Sequence, residues 1–467
     1  MNKTILAIDI GSTKIAAVIA EIDEYNDVKL IGHGITKSQG VKKGIITNID
    51  LASKAIRKAV TDARRIAGSN ISLAVVSISN AYAKSVKSTG IVNIPHKDIT
   101  LKEINRVMET ALYNANIPND YEVIHVLPYN FKVDEQNGIE DPYGMNASRM
   151  EVDTNIIITQ KSNLSNLKKA VKSAGLEIDS IVLNSYASAI ATMSEDEKEL
   201  GVVVIDMGGQ TSNLAIHLGN AIRYNDYLPV GSNNITNDLS MTLHTPINFA
   251  EEVKLKYGDL AEVDSDEKIE LPIIGDEENK NEIPLSVIHD VIEARVEESL
   301  MILAKSVEKS GLRDKIGTGV ILTGGMTKLK HMREYAQTIF PGLTVRIGVP
   351  KAINGMFKEL RDPIFSTVVG LLLYKAGGHT QYEINLNRDL LHNKEGEESI
   401  GLLDIRLEDR FVPSDNKEDV KESIKGEQKS ERKPALPGIG DLDIGEYINP
   451  GNRNFLEKIT NWFKQLF

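Results

Sequence analysis

The chain has no cysteine, one tryptophan and only 5% aromatic residues, and its 54 lysines and arginines are outnumbered by 66 aspartates and glutamates. Without thiols there is no disulfide and no thiolate zinc site, a usage that suits a reducing cytoplasm. The net charge of −12 argues against nucleic acid as a partner, because phosphate backbones are gripped by clustered Lys and Arg. No apolar run approaches the roughly 18 residues of a membrane span. The opening "MNKTILAIDIGSTK" has a brief apolar run cut by Asp9, too short for a signal peptide. The expectation is a protein neither secreted nor threaded through a bilayer. At 467 residues, 41% hydrophobic and 26% charged, it reads as ordinary globular sequence too long for one core.

One pattern occurs twice. "TILAIDIGSTKIAAVIAEI" from position 4 and "LGVVVIDMGGQTSNLAIHL" from position 200 each join two apolar, β-branched runs through Asp-x-Gly and a short polar turn. Each predicts a buried β-hairpin, and the repetition predicts a duplicated, two-lobed α/β architecture. Gly11, Gly208 and Gly209 let backbone approach a ligand and aim N–H groups at it. Ser12, Thr13 and Thr211 add hydroxyls, and Lys14 a cation. Asp9 and Asp206 end apolar strands, where a carboxylate is costly without a cation or donors. Two such turns face to face would clamp a polyphosphate, the aspartates holding Mg²⁺ through its water shell. Taken singly, each is also simply a glycine-containing hairpin.

A third element, "GTGVILTGGMTKLKHMREYAQTIF", predicts a buried strand running into Gly324, Gly325 and Met326, then a helix. A Gly-Gly turn opening a helix offers backbone against which a flat ring can lie. Between positions 231 and 254 come Gly231, Thr236 and Asp238, then Glu251 and Lys254. The last two share one helical face, placed either to reach a ribose or adenine or to form a solvated surface.

These three elements, in this order, resemble the actin/Hsp70/sugar-kinase ATPase superfamily, and within it the FtsA family of bacterial cell-division proteins. "LAIDIGSTK", "VVVIDMGGQTSNLAI" and "GVILTGGMTKLKHM" are similar to that family's phosphate-1, phosphate-2 and adenosine motifs; "TVRIGVP", "PIFSTVVGLLLY", "YEVIHVLPYNF", "GIEDPYGMNASRM" and "VIEARVEESL" resemble further landmarks. The resemblance implies an actin-like two-lobed fold binding ATP and Mg²⁺, with Gly231, Glu251, Lys254, Gly324, Gly325 and Met326 around the nucleoside. It implies an enzyme only in a weak sense, with no catalytic residue assigned. Two departures stand out: Gln210 replaces the third glycine of the phosphate-2 turn, and Asn213 replaces a frequent Asp.

The implied organisation is subdomain 1A over 1–81 and 163–199, interrupted by an SHS2-like 1C subdomain over 82–162. Subdomain 2A covers 200–229 and 303–381, with 2B over 230–302. The residues themselves read as alternating strands around one amphipathic helix in the first insert, a small α+β module, and as an acidic hairpin then a long helix in the second. In the family, 2B receives the C-terminal peptide of FtsZ. Arg295 matches a position implied to pair with that acidic peptide, for which a planar guanidinium is suited. It is equally a helix-surface arginine among Glu293, Glu297 and Glu298. From 382 to 451 charge, Gly, Pro and Ser dominate, predicting a disordered linker.

The scarce aromatics reappear at the end, in "NFLEKITNWFKQLF". Phe455, Leu456, Ile459, Trp462, Phe463, Leu466 and Phe467 follow the rhythm of one helical face, with Lys458 and Lys464 off it. A helix over 452–467, capped by Asn452 or Asn454, has the pattern of one lying in a membrane interface, its lysines meeting anionic lipid. The other reading is a terminal helix docked on its own body; the long linker and the family's membrane-targeting terminus favour lipid. Seven side chains at about 1.5 kcal/mol each gain roughly 10 kcal/mol. Ordering a short helix removes much of it, leaving about 5–8 kcal/mol and millimolar-to-micromolar affinity. Filament assembly would convert such weak anchors into avidity, with nucleotide as a switch more than a fuel. The family further implies a place on the cytoplasmic face of the inner membrane at the septum, and recruitment of later division proteins. Rival readings are a kinase of the superfamily, a PilM-like adaptor and an Hsp70-like chaperone.

Overall fold

The computed structural model describes residues 3–261 and 267–392. The first apolar runs form β1 (Lys3–Ile10), β2 (Lys14–Ile22) and β3 (Val28–Lys37), an antiparallel meander. After the two-residue strands β4 (Val41–Lys42) and β5 (Ile45–Ile46) comes α1 (Ile49–Ala67). The Asn48 side chain caps it by accepting the Leu51 N–H, and Gly68 ends it at φ 64°, where glycine is least costly. Strand β6 (Leu73–Ile78) returns parallel to β1.

A module then interrupts this lobe: β7 (Lys84–Asn93), α2 (Leu101–Asn114), β8 (Tyr121–Val133), β9 (Gln136–Ile139) and β10 (Arg149–Gln160). Its four strands form a separate sheet ordered β7-β10-β8-β9, the expected strands around one helix. The chain returns through α3 (Lys161–Ser173) to β11 (Glu177–Leu183), completing a sheet ordered β11-β6-β1-β2-β3.

Helices α4 (Asn184–Thr192) and α5 (Glu195–Leu200) lead into β12 (Val202–Met207), β13 (Ser212–Leu218) and β14 (Ala221–Leu228). Then come α6 (Ser232–Thr242), α7 (Ile247–Tyr257), the hairpin β15 (Lys268–Ile273) and β16 (Asp276–Pro284), and α8 (Leu285–Lys309). Strand β17 (Gly319–Thr323), α9 (Met332–Ile339) and β18 (Val345–Ile347) close a sheet ordered β14-β13-β12-β17-β18. In both sheets an antiparallel three-strand meander is extended by two parallel strands. The duplication read from two Asp-x-Gly hairpins is therefore one of whole sheets, each with its own apolar core. Helix α10 (Ser366–Leu373) returns to the first lobe and crosses α4 at Gly370, where a Cβ would stand 1.8 Å from the Ala187 carbonyl oxygen.

One boundary is corrected. The linker expected from 382 does not begin there, because Tyr382, Ile384 and Leu390 are buried in the core of the inserted module. Val126 and Ile384 exchange backbone hydrogen bonds of 2.9 and 3.1 Å. Between Tyr382 and Ile384 in the sequence lies Glu383, with 0% exposure. Its Oε1 meets His125 Nδ1 at 2.6 Å and the Tyr374 hydroxyl at 2.8 Å, and its Oε2 meets the Tyr186 hydroxyl at 2.9 Å. His125 Nε2 accepts the Leu183 N–H at 3.2 Å, which puts the ring proton on Nδ1, donating to Glu383. Burial, then the Glu383 charge, holds both tyrosines well above the usual phenol range, so they stay donors. Residues drawn from β8, α4 and the end of α10 thus converge on one carboxyl group. The rest of the expected linker and the 452–467 helix lie outside the described residues.

Candidate functional site

The two Asp-x-Gly turns have the same internal bond. The Gly11 N–H donates to the Lys14 carbonyl at 3.0 Å, and the Gly208 N–H to the Thr211 carbonyl at 2.8 Å. They also face each other: a Cβ on Gly209 would stand 2.1 Å from Thr13 Cγ2. Among the described residues the N–H groups of Ser12, Thr13, Gly209 and Gln210 donate to no acceptor. Such exposed turn amides, with Lys14 beside them, can hold an anion.

Behind the turns the carboxylates are held by hydroxyls. Asp9 Oδ1 accepts from Ser77 Oγ at 3.0 Å, and its Oδ2 from Lys14 Nζ at 3.0 Å. Asp206 Oδ2 accepts from Ser188 Oγ at 2.7 Å and Thr367 Oγ1 at 3.0 Å. Burial pushes the Asp206 carboxyl up, the Ser188 bond opposes this, and the Asp9 charge close by adds to the rise. Two close carboxylates with one lysine between them suit a hydrated divalent cation. The sequence reading missed Ser77, Ser188 and Thr367, which carry no motif signal.

The nucleoside candidates gather beside the second turn. A Cβ on Gly231 would lie 2.5 Å from the Gly208 oxygen, and the first amides of α6 donate back to Gly208 and Gly209. Gly324, at φ 91°, borders Asp206 Oδ1, whereas a Cβ on the partly buried Gly325 would meet only Ile364 Cγ2, at 3.3 Å. The Gly-Gly turn opens a 3-10 turn, Gly325–Lys328, with α9 starting only at Met332, so the helix predicted directly after the glycines is displaced. Met326 turns into the second core at 1% exposure, leaving its backbone for any ligand. Neither Glu251 nor Lys254 fits the solvated-surface reading alone. Lys254 is 4% exposed and its Nζ reaches Ser232 Oγ (2.8 Å), Thr236 Oγ1 (2.8 Å) and Glu251 Oε2 (2.7 Å), leaving Glu251 partly exposed at the edge.

Arg295 sits on α8 and is already forked onto Asp238 of α6, Nε to Oδ2 at 2.6 Å and Nη2 to Oδ1 at 3.2 Å, with Glu298 on its third nitrogen. It is a tie between helices with about a quarter of its side chain exposed.

Both departures in the second turn find partners in the first lobe. Gln210 Oε1 accepts the Lys43 N–H at 2.9 Å, while the Tyr227 hydroxyl donates to the Lys43 carbonyl at 2.6 Å. The Gly44 N–H donates to Ser12 Oγ at 2.8 Å. The Gln210 side chain therefore reaches the loop between β4 and β5. Asn213 is buried and accepts the Asn80 N–H at 3.4 Å, a place where a neutral amide avoids the cost of a buried charge.

The family profile for cell division protein FtsA matches residues 203–370, and that for the SHS2 domain inserted in FtsA matches residues 80–158. The chain is 42% identical over 413 residues to cell division protein FtsA of Helicobacter pylori (strain ATCC 700392 / 26695), covering 82% of this chain and 84% of that protein. It is 36% identical over 375 residues to cell division protein FtsA of Pseudomonas aeruginosa, covering 80% and 89%. Among solved structures, the PilM-PilN type IV pilus biogenesis complex is similar at TM-score 0.57 and 17% identity, covering 80% of this chain and 98% of that one, a likeness of fold. Duplicated sheets, an inserted module and these alignments together lead to one conclusion: the chain belongs to the FtsA family of cell division proteins and has its actin-like fold with an SHS2 insert.

Proposed function

We propose that this protein binds ATP with Mg²⁺ between its two Asp-x-Gly turns and works as a nucleotide-switched membrane adaptor in cell division. The observation that carries the reading is the apposition of Thr13 and Gly209, with unengaged turn amides on both sides and Asp9 and Asp206 behind. Phosphates would lie against the amides and Lys14, Thr211 would border the second turn, and Gly231, Glu251, Lys254 and Gly324 to Met326 would border the nucleoside. Nucleotide occupancy would bias self-assembly into an actin-like filament. No general base is assigned, and the role asked of ATP is structural.

The adaptor part rests on family membership and the terminal sequence. The FtsZ C-terminal peptide would meet the α6–α8 face, exchanging its carboxylates with Glu298 at Arg295. Residues 454–467 would lie in the cytoplasmic face of the inner membrane at the septum, where later division proteins join. No helix among the described residues is long and apolar enough to cross a membrane. Deleting 454–467, or Trp462→Glu, is expected to shift the protein from the pellet to the supernatant when sedimented with anionic vesicles, with ATP binding unchanged. Wild-type sedimentation of either variant refutes the anchor, and absence of Mg²⁺-dependent ATP binding by the intact protein refutes the cleft.

A further inference from the structure

The outer faces of α1 and α3 carry charge of the sign the chain has least of. Helix α1 holds Lys54, Arg57, Lys58, Arg64 and Arg65 against Asp50 and Asp62. Helix α3 holds Lys161, Lys168, Lys169 and Lys172 and no acid. Nine cations less two anions is +7 on two helices of a chain whose net charge is −12. The helices lie side by side, the Arg57 guanidinium donating to the Ser173 carbonyl at the end of α3, so their charges form one face.

Most of these cations are not satisfied internally. Arg64 is spent on the Ile71 carbonyl and Arg65 on Asp62. Lys54, Lys58, Lys168, Lys169 and Lys172 are exposed and have no partner among the described residues. Lys54 and Lys58, and Lys168 and Lys172, are like-charge pairs four apart, which cost helix stability. Glu122 is the one carboxylate bordering the shallow cleft of about 310 Å³ beside the α3 lysines. Leu51, one turn before Lys54, is 41% exposed.

This charge asks for an external counter-charge, and its layout indicates the kind. The exposed cations are mostly lysines, compact hydrated point charges without the planar fork that selects single carboxylates. They are spread along helices of about 28 and 20 Å at 1.5 Å per residue, a broad face instead of a pocket. We propose that this face rests on an anionic phospholipid surface, a second and salt-sensitive membrane contact made by the folded body itself. Choosing lipid over other polyanions rests on the lipid-seeking reading of 454–467; the charged face does not.

The test uses the full chain, phosphatidylglycerol-containing and pure phosphatidylcholine vesicles, and a salt titration. A cation near an anionic leaflet is worth about fivefold in partitioning. The triple variant Lys168→Glu, Lys169→Glu, Lys172→Glu loses three such cations and adds three anions, so it is expected to bind anionic vesicles more than about a hundredfold more weakly, with a flatter salt dependence. Its binding to phosphatidylcholine should be unchanged. The corresponding triple glutamine variant, which adds no new charge, should fall between. Wild-type affinity and salt slope in both variants would overturn the proposal, as would loss of an acidic protein partner with vesicle binding intact. Failure of the tail reading has a separate signature, wild-type vesicle binding by Trp462→Glu.

Discussion

Glu383→Ala is expected to lower the unfolding free energy by roughly 3–5 kcal/mol, the usual cost of removing one member of a buried charged network. The site is fully closed, and His125 and Tyr374 would be left with donors aimed at a void, while Tyr186 keeps Thr380 Oγ1 as an acceptor at 2.9 Å. Each stranded donor forfeits its hydration without compensation. Glu383→Gln keeps acceptor oxygen on one side and should cost less; Tyr374→Phe removes one donor and should cost about 1 kcal/mol. Denaturant unfolding followed by circular dichroism reads all three. An alanine variant with the wild-type midpoint would mean that the network adds nothing to stability.

Asp206→Asn separates charge from shape in the candidate cleft. The amide oxygen can still accept from Ser188 and Thr367, yet the negative charge is gone. If Asp206 holds Mg²⁺ through water, Mg²⁺-dependent ATP affinity should fall roughly 10–100-fold, as for other outer-shell partners of metals. Affinity without Mg²⁺ should change little. Stability should move the other way. The folded carboxyl is pushed above its ordinary value, so ionised Asp206 costs folding energy at neutral pH, and that cost grows as pH rises through the folded value. The ligand-free asparagine variant should therefore melt at or above the wild-type temperature. Isothermal titration with and without Mg²⁺, beside a thermal melt, separates the two effects. Identical Mg²⁺ dependence in variant and wild type would take Asp206 out of the site.

Much of this was readable from the sequence because the features are local. Apolar runs broken by Asp-x-Gly specify a hairpin wherever they occur, and their recurrence exposed the paired sheets. The long helix behind the acidic hairpin and the strands of the insert were legible from their periods. What escaped depends on distant partners. Tyr382 and Ile384 alternate as in a strand, but they stand among charges, and average composition hid an edge pairing with Val126. Nothing near Glu383 indicates that His125, 258 positions away, would receive it. Lys254 reads as solvated because two of its acceptors, Ser232 and Thr236, lie on another helix, and Gln210 carries no hint that its target is the Lys43 amide.

That last contact has a kinetic meaning. Gln210 and Tyr227 both hold backbone atoms of Lys43, so no side chain at 43 is needed, and they close one rim of the gap between the lobes. Whatever departs by that rim must first break two hydrogen bonds. At about 1 kcal/mol each, they would lengthen residence time by roughly thirtyfold without tightening equilibrium affinity, since the same bonds re-form over an empty gap. If nucleotide occupies the gap and leaves by that rim, Gln210→Gly, which removes the first of these bonds, should release it about fivefold sooner.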